Sequence, residues 1–190
     1  MTKSEDTAAN KIVDKTVKFV GNYVVIFQEI EIKLDGILHL AFGERTWDIN
    51  NILFAELSYH SKIKCVRSIV NLAQDHAADK KVEKWLPHFN KVMNRCIDEA
   101  KSRNSVVHAA YEWLPVDHGL SPILTHARVA KTGTTIKFEQ LDDEFFEGEL
   151  KRLCTLAFDI GVIKMQLIHW RKVLFDFDGP DEAQIGEILA

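Results

Sequence analysis

Apolar residues spaced three and four apart run through most of this 190-residue chain, and that period commits it to amphipathic helices. From about Ala8 to Phe42 the stripe is Val17, Val20, Val24, Phe27, Leu34, Leu38 and Ala41, with one gap. Glu31 fills the gap. A carboxylate among core positions is costly unless it is paired or hydrogen-bonded. Two readings stay open for Glu31: a basic or polar partner inside the fold, or a place at the stripe's margin from which it reaches water.

Gly43 ends this first helix, and Glu44 to Asn51 reads as a connection. A second helical region covers about Ile52 to Gln74, with a break near Ser58 to Ser61. Its apolar side is Ile63, Val66, Val70 and Ala73, while His60, Lys64, Arg67 and Asn71 form a polar ridge on another side. That ridge is either a solvated face or a surface for phosphates. The third helix begins after Asp79 and carries Trp85, Phe89, Val92, Cys96 and Ala100 at helical spacing. It continues toward Trp113, and Pro115 stops it. Ser102, Asn104 and Ser105 are weak helix formers and invite a break or a fresh cap on the way.

From Pro115 to Gln140 the character changes. Gly119, Pro122 and Gly133 punctuate the segment, and two β-prone runs, 127–131 and 134–138, flank Thr132-Gly133, which predicts a small β-hairpin. The last long helix starts near Leu141, where Asp142, Asp143 and Glu144 suit the positive end of its dipole, and runs to about Phe175. Between Leu153 and Leu174 it is apolar on more than one side, so it is expected to be central or to bury one side against a second subunit. The tail from Asp176 is acidic. The sum is an all-α chain: a four-helix up-and-down bundle with a small β-hairpin insertion at about 115–140, before the last helix. It reads as a single domain over 1–190, with its core at about 8–176 and the acidic tail at 176–190.

Composition agrees with a folded chain, with 46% apolar and 27% charged residues, and only four Pro and nine Gly leave room for long helices. Cys65, Cys96 and Cys154 are odd in number and widely spaced, which points to free buried thiols in a reducing cytoplasm. The start of the chain leads into no signal core. The most apolar stretch, Leu153 to Trp170, holds Asp159, Lys164 and His169 and makes a poor membrane span, so a soluble protein is expected. The net charge of −4 does not advertise nucleic-acid binding. Acids are nonetheless missing around Lys62, Lys64 and Arg67, and again around Arg128, Lys131 and Lys137, so local basic surfaces exist in the sequence.

No di-iron Glu-x-x-His repeat, His-Glu-x-x-His, Gly-rich phosphate loop or Gly-x-Ser-x-Gly occurs. The lone pair Glu56 and His60 reads as a helix-surface contact, and neither a metal nor a cofactor is expected. What remains is Arg103-Asn104-Ser105-Val106-Val107-His108. Arginine offers a permanent positive fork for a phosphate, and histidine titrates near neutral pH. These are the parts that metal-free RNA cleavage needs: a base for the 2′-hydroxyl, an acid for the leaving oxygen and a cation for the phosphorane. On an unbroken helix Asn104 and His108 share a face. One helix offers one histidine, so two copies across a two-fold axis would supply acid and base together. By spacing alone the pattern is common, and a structural role for both residues stays open.

The chain resembles the HEPN superfamily, small helical bundles of toxin–antitoxin, phage-defence and RNA-processing systems. Their hallmark is an Arg followed by a polar residue, often Asn, and a His after a spacer of four to six residues, matched here by Arg103, Asn104 and His108. Phe27-Gln-Glu-Ile-Glu31 with Leu34 looks like that family's first long helix with its acidic residue. Phe54-Ala-Glu-Leu-Ser58 followed by Lys62-Ile-Lys-Cys-Val66 looks like its second. The resemblance spans roughly residues 15 to 175. It implies a homodimer whose two motifs line one cleft, a metal-independent endoribonuclease acting on RNA, and a cognate antitoxin or regulatory protein as a further partner. The family also contains members that have lost catalysis and act as interaction or regulatory modules. Arg103, Asn104 and His108 are the expected catalytic residues, Glu31 (with Arg103 as its leading partner) and Tyr111 the supporting ones, and His60, Lys64 and Arg67 the RNA-binding ones. Some family toxins carry a modified Tyr two residues beyond the His. Tyr111 stands three beyond, so that regulation is not carried over.

Overall fold

The structure is a computed structural model. It describes the backbone of residues 3–43, 47–107, 110–116, 119–130, 133–140 and 142–175, and the side chains of residues 11, 13–43, 48–107 and 142–175. The described residues form six helices: α1 (Lys3–Phe42), α2 (Trp47–Glu56), α3 (Tyr59–Ala77), α4 (Lys80–Val107), α5 (Asp143–His169) and α6 (Arg171–Leu174). The helical class expected from the sequence holds, since nearly every residue whose side chain is described lies in a helix. Among the described residues no helix is long and apolar enough to cross a membrane.

Local chemistry sets the helix ends. Gly43 takes φ +79°, a left-handed conformation that glycine adopts without a Cβ clash, and its N–H donates to the His39 carbonyl at 3.0 Å. The break expected near Ser58 is the boundary between α2 and α3, where the Ser58 hydroxyl accepts from the Ser61 N–H at 3.2 Å as an N-cap. Asp79 caps α4 by accepting from the N–H groups of Lys81 (2.7 Å) and Val82 (3.1 Å). Asp142 caps α5 by accepting from Phe145 N–H at 2.8 Å.

Two boundaries differ from expectation. The stretch read as a connection up to Asn51 is helical from Trp47, with Asp48 in the first turn where the dipole favours it. The helix expected to run toward Trp113 ends at Val107, without a break at Ser102 to Ser105, and the chain is in strand β1 (Ala110–Val116) instead. Tyr111 and Trp113 are good strand formers, and pairing with a neighbour strand overrides the helical spacing that links them to α4. Strands β2 (Gly119–Ala130) and β3 (Gly133–Gln140) follow, and the three pair antiparallel in the order β1-β2-β3. The two prolines fit this order. Pro115 lies in the edge strand β1, and Pro122 faces only β1 because the β2–β3 register starts at Ile123 opposite Gln140.

The chain divides into two compact units, one of Met1–Ile32 with Asn94–Ile160 and the other of Lys33–Met93 with Gly161–Ala190. In the first unit Phe19, Tyr23, Phe27 and Ile30 of α1 are buried, as are Cys96 of α4 and Leu153, Leu156 and Ile160 of α5. Phe19 stacks on Phe146 with ring centroids 4.6 Å apart. Phe27, Leu34 and Leu38 of the expected α1 stripe are buried, but from residue 17 to 24, and again at 30–31, the stripe is turned by one position. Val17 is exposed, Phe19 and Tyr23 are inside, and Ile30 rather than residue 31 continues the core.

In the second unit the expected face of α3, Ile63, Val66, Val70 and Ala73, is buried. Leu34, Ile37, Trp85, Phe89, Ile163 and Leu167 are buried in this unit as well. Trp85 donates its indole N–H to Gln166 at 2.7 Å and meets the Trp170 ring edge-on at 5.0 Å. Lys62 is buried beside α3's apolar face because Asp35 of α1 pairs with it at 2.8 Å. Lys164 lies across the bare backbone of Gly36, where a Cβ would come within 2.6 Å of its ammonium. The expectation of buried thiols holds for Cys96 alone, since Cys65 is half-buried and Cys154 exposed, all three being free.

Candidate functional site

Arg103 and Asn104 occupy the last turn of α4, whereas His108 lies outside the described residues. Arg103 is half-buried. Its guanidinium carbon sits 5.7 Å from the centroid of the Phe27 ring on α1, within cation–π range, and its Nη1 donates to Asn104 Oδ1 at 3.2 Å. Asn104 itself is exposed, and its amide oxygen is engaged by Arg103. Tyr111 falls in β1, and its side chain is outside the described residues.

One turn before Arg103, on the same helix, Glu99 is fully buried. Its carboxylate accepts from the Tyr23 hydroxyl of α1 and from two guanidinium nitrogens of Arg152 of α5, the Nη2 contact being 3.2 Å. Arg152 also donates to Glu149 at 2.6 Å through Nη2. Burial, then the hydrogen bond to Glu99, push the Tyr23 phenol far above its ordinary range, so it remains a neutral donor. Burial works against the Arg152 charge, but hydrogen bonds to Glu149 and Glu99 outweigh it and hold the guanidinium above its usual value. Arg95 pairs with Asp159 in the same unit. The last turns of α4 are therefore tied to α1 and α5 by a hydrogen-bonded ionic cluster as well as by packing.

The expected pairing of Glu31 with Arg103 does not form. Glu31 is half-buried and, among the described residues, makes no hydrogen bond or ion pair; Arg103 is placed by Phe27 and Asn104 instead. The reason is the one-position turn of the α1 stripe, which gives the core place to Ile30 and leaves Glu31 at the margin. The buried carboxylate near the motif is Glu99, which the sequence reading missed. The rule that flagged Glu31 also finds Glu99, which lies three residues beyond Cys96 on the buried stripe of α4.

The polar ridge is at the surface of α3. His60 and Lys64 are exposed, and Arg67 is half-buried. These three belong to the second unit, and Arg103, Asn104 and Glu31 to the first. Side chains of Arg128 and Lys137 fall on strands outside the described side chains, and Lys131 lies outside the described residues. Among the described residues no three His, Cys, Asp or Glu side chains gather as a metal site would require. Comparison with family models, curated proteins and solved structures finds no match to this chain.

Proposed function

We propose that this chain is a metal-independent endoribonuclease of HEPN type, a toxin or phage-defence effector of the cytoplasm that cuts RNA with Arg103, Asn104 and His108 of two copies. The observation that carries the proposal is the placement of Arg103. Its guanidinium lies within cation–π range of the Phe27 ring and one edge is hydrogen-bonded to Asn104, at the end of a helix anchored one turn earlier through Glu99. An arginine fixed in this way meets a phosphate in a set orientation instead of searching for it on a flexible stem. His108 takes the proton of the 2′-hydroxyl as that oxygen attacks phosphorus. The bond to the 5′-oxygen breaks, and the second copy's histidine protonates the leaving oxygen. The products carry a 2′,3′-cyclic phosphate and a 5′-hydroxyl.

The fold that goes with this reading is a four-helix up-and-down bundle of α1, α3, α4 and α5, with the β1-β2-β3 strands inserted before the last of them in place of a single hairpin. Support for a dimer comes from α5, where Leu153, Leu156, Ile160, Ile163 and Leu167 are buried while Phe158 (69% exposed), Met165 (65%) and Ile168 face outward. A second copy covering those side chains would remove a row of apolar surface from water. The same row suits the rival reading, an inactive interaction module, and catalysis separates the two. Purified chain is incubated with total RNA and EDTA, beside His108→Ala and Arg103→Ala. Cleavage by the parent, at least about 100-fold slower in His108→Ala with RNA affinity kept, is expected. Arg103→Ala should lose affinity as well as turnover. Cleavage that persists in His108→Ala or stops with EDTA refutes the mechanism. Loss of stability in both variants with no cleavage by the parent establishes the module.

A further inference from the structure

The sheet ends on β3, which has no strand at its outer edge among the described residues. An edge strand presents unpaired N–H and C=O groups that can pair with another chain. The opposite edge is guarded, since Pro115 of β1 offers no N–H to a neighbour. β3 holds no proline, and its ladder to β2 runs unbroken from Gln140 opposite Ile123 to Gly133 opposite Ala130, so no bulge turns this edge aside. Its only charged residues, Lys137 and Glu139, stand on one face of the strand, on either side of Phe138 in sequence. A charge on an edge deters pairing unless the incoming strand brings its opposite. β3 supplies that opposite itself. In a two-fold antiparallel pairing each residue i faces j while j faces i. Centred on Lys137 or on Glu139, such a pairing sets like charges opposite each other. Centred on Phe138, it sets Lys137 of each copy opposite Glu139 of the other. From this charge complementarity we infer that β3 pairs edge to edge with β3 of a second copy in the register centred on Phe138, joining two three-stranded sheets into one. A strand that is its own complement selects a second copy over an unrelated peptide. The pairing goes beyond the RNA-cutting reading, since neither Arg103 nor RNA enters it, and it adds a second two-fold surface to the α5 row.

The test uses the full chain with Cys65→Ser and Cys154→Ser, Cys96 being buried. Residues that face each other in an antiparallel pair have Cα atoms about 4.5–5.5 Å apart, within disulfide reach. Under a brief pulse of oxidant at low micromolar concentration, Phe138→Cys should therefore trap a covalent dimer on a non-reducing gel. Lys137→Cys should not, because its own copy lies roughly 7 Å away along the strand as well as across it. Mixing the Lys137→Cys chain with a Glu139→Cys chain, which leaves Phe138 in place, should trap a dimer that neither forms alone. Added to Phe138→Cys, either Lys137→Glu or Glu139→Lys turns two attractive pairs into two like-charge pairs. The concentration for half-trapping should then rise at least about fivefold. Both changes together exchange the charges and should bring that concentration back to within about twofold. Absence of trapping both at 138 and in the mixture, equal trapping by Lys137→Cys alone, single charge variants that trap as readily as their parent, or a double variant no better than the single ones overturns the proposal.

Discussion

Removing Arg152 from the Glu99 cluster tests whether the end of α4 is held by a buried ionic contact. Glu99 is fully buried, and both carboxylate oxygens are occupied, one by Tyr23 and Arg152 Nη2 and the other by Arg152 Nη1. Arg152→Met leaves the carboxylate with one neutral donor inside the protein. Breaking a buried pair from one side costs about 3–5 kcal/mol, because the remaining charge is uncompensated. The Arg152 side chain is 41% exposed, so water can reach the carboxylate from that side, and the low end of the range, about 3 kcal/mol, is expected. For a domain of ordinary stability, about 5–15 kcal/mol, that is a large share. Replacing the whole cluster by apolar groups, Tyr23→Phe with Glu99→Leu and Arg152→Met, removes the orphaned charge and should recover most of the loss. Urea unfolding followed by circular dichroism measures both variants, with equal slopes required for the comparison. A loss below about 1 kcal/mol in Arg152→Met, or a triple variant no more stable than the single one, would falsify the view that Glu99 is a desolvated partner.

Two further predictions concern Tyr23 and Ala78. Tyr23→Phe should cost about 1.5–3 kcal/mol near neutral pH, the value of a hydrogen bond to a charged group. The folded phenol is raised above its unfolded value of about 10, so the tyrosine's advantage is complete below that pH and is lost as pH rises beyond it. Urea midpoints of parent and variant should therefore converge above pH ~10, and a gap that stays constant to pH ~11 contradicts the assignment. Ala78, the C-cap of α3, adopts φ 49° with its N–H on the Gln74 carbonyl at 2.8 Å. Ala78→Gly relieves the left-handed strain and should stabilise by about 0.5–1 kcal/mol despite the freer unfolded chain; a lower thermal midpoint argues against it.

The helical character of this chain was determined by sequence period alone. The buried face of α3, the core positions Trp85, Phe89, Val92 and Cys96 of α4, and the helix boundaries near Ser58, Asp79 and Asp142 were legible because each depends on neighbours within a turn or two. Arg103 and Asn104 fall on the third long helix as its period implies, while His108 lies outside the described residues. Only tertiary structure decided which of two adjacent stripes of α1 turns inward. Valines at 17, 20 and 24 keep helical spacing as well as Phe19 and Tyr23 do, and burial goes to the aromatic pair, of which Phe19 stacks on Phe146 of α5. That rotation moved Glu31 to the margin and left the buried carboxylate role to Glu99. The partners of Glu99 lie 76 residues earlier and 53 later, and such contacts leave no mark on local spacing. The same holds for Lys62, whose partner Asp35 is on another helix, and for β1, where a strand neighbour outweighs helical period. Local rules place side chains on faces; packing decides which face is inside, and so which charges must find each other there.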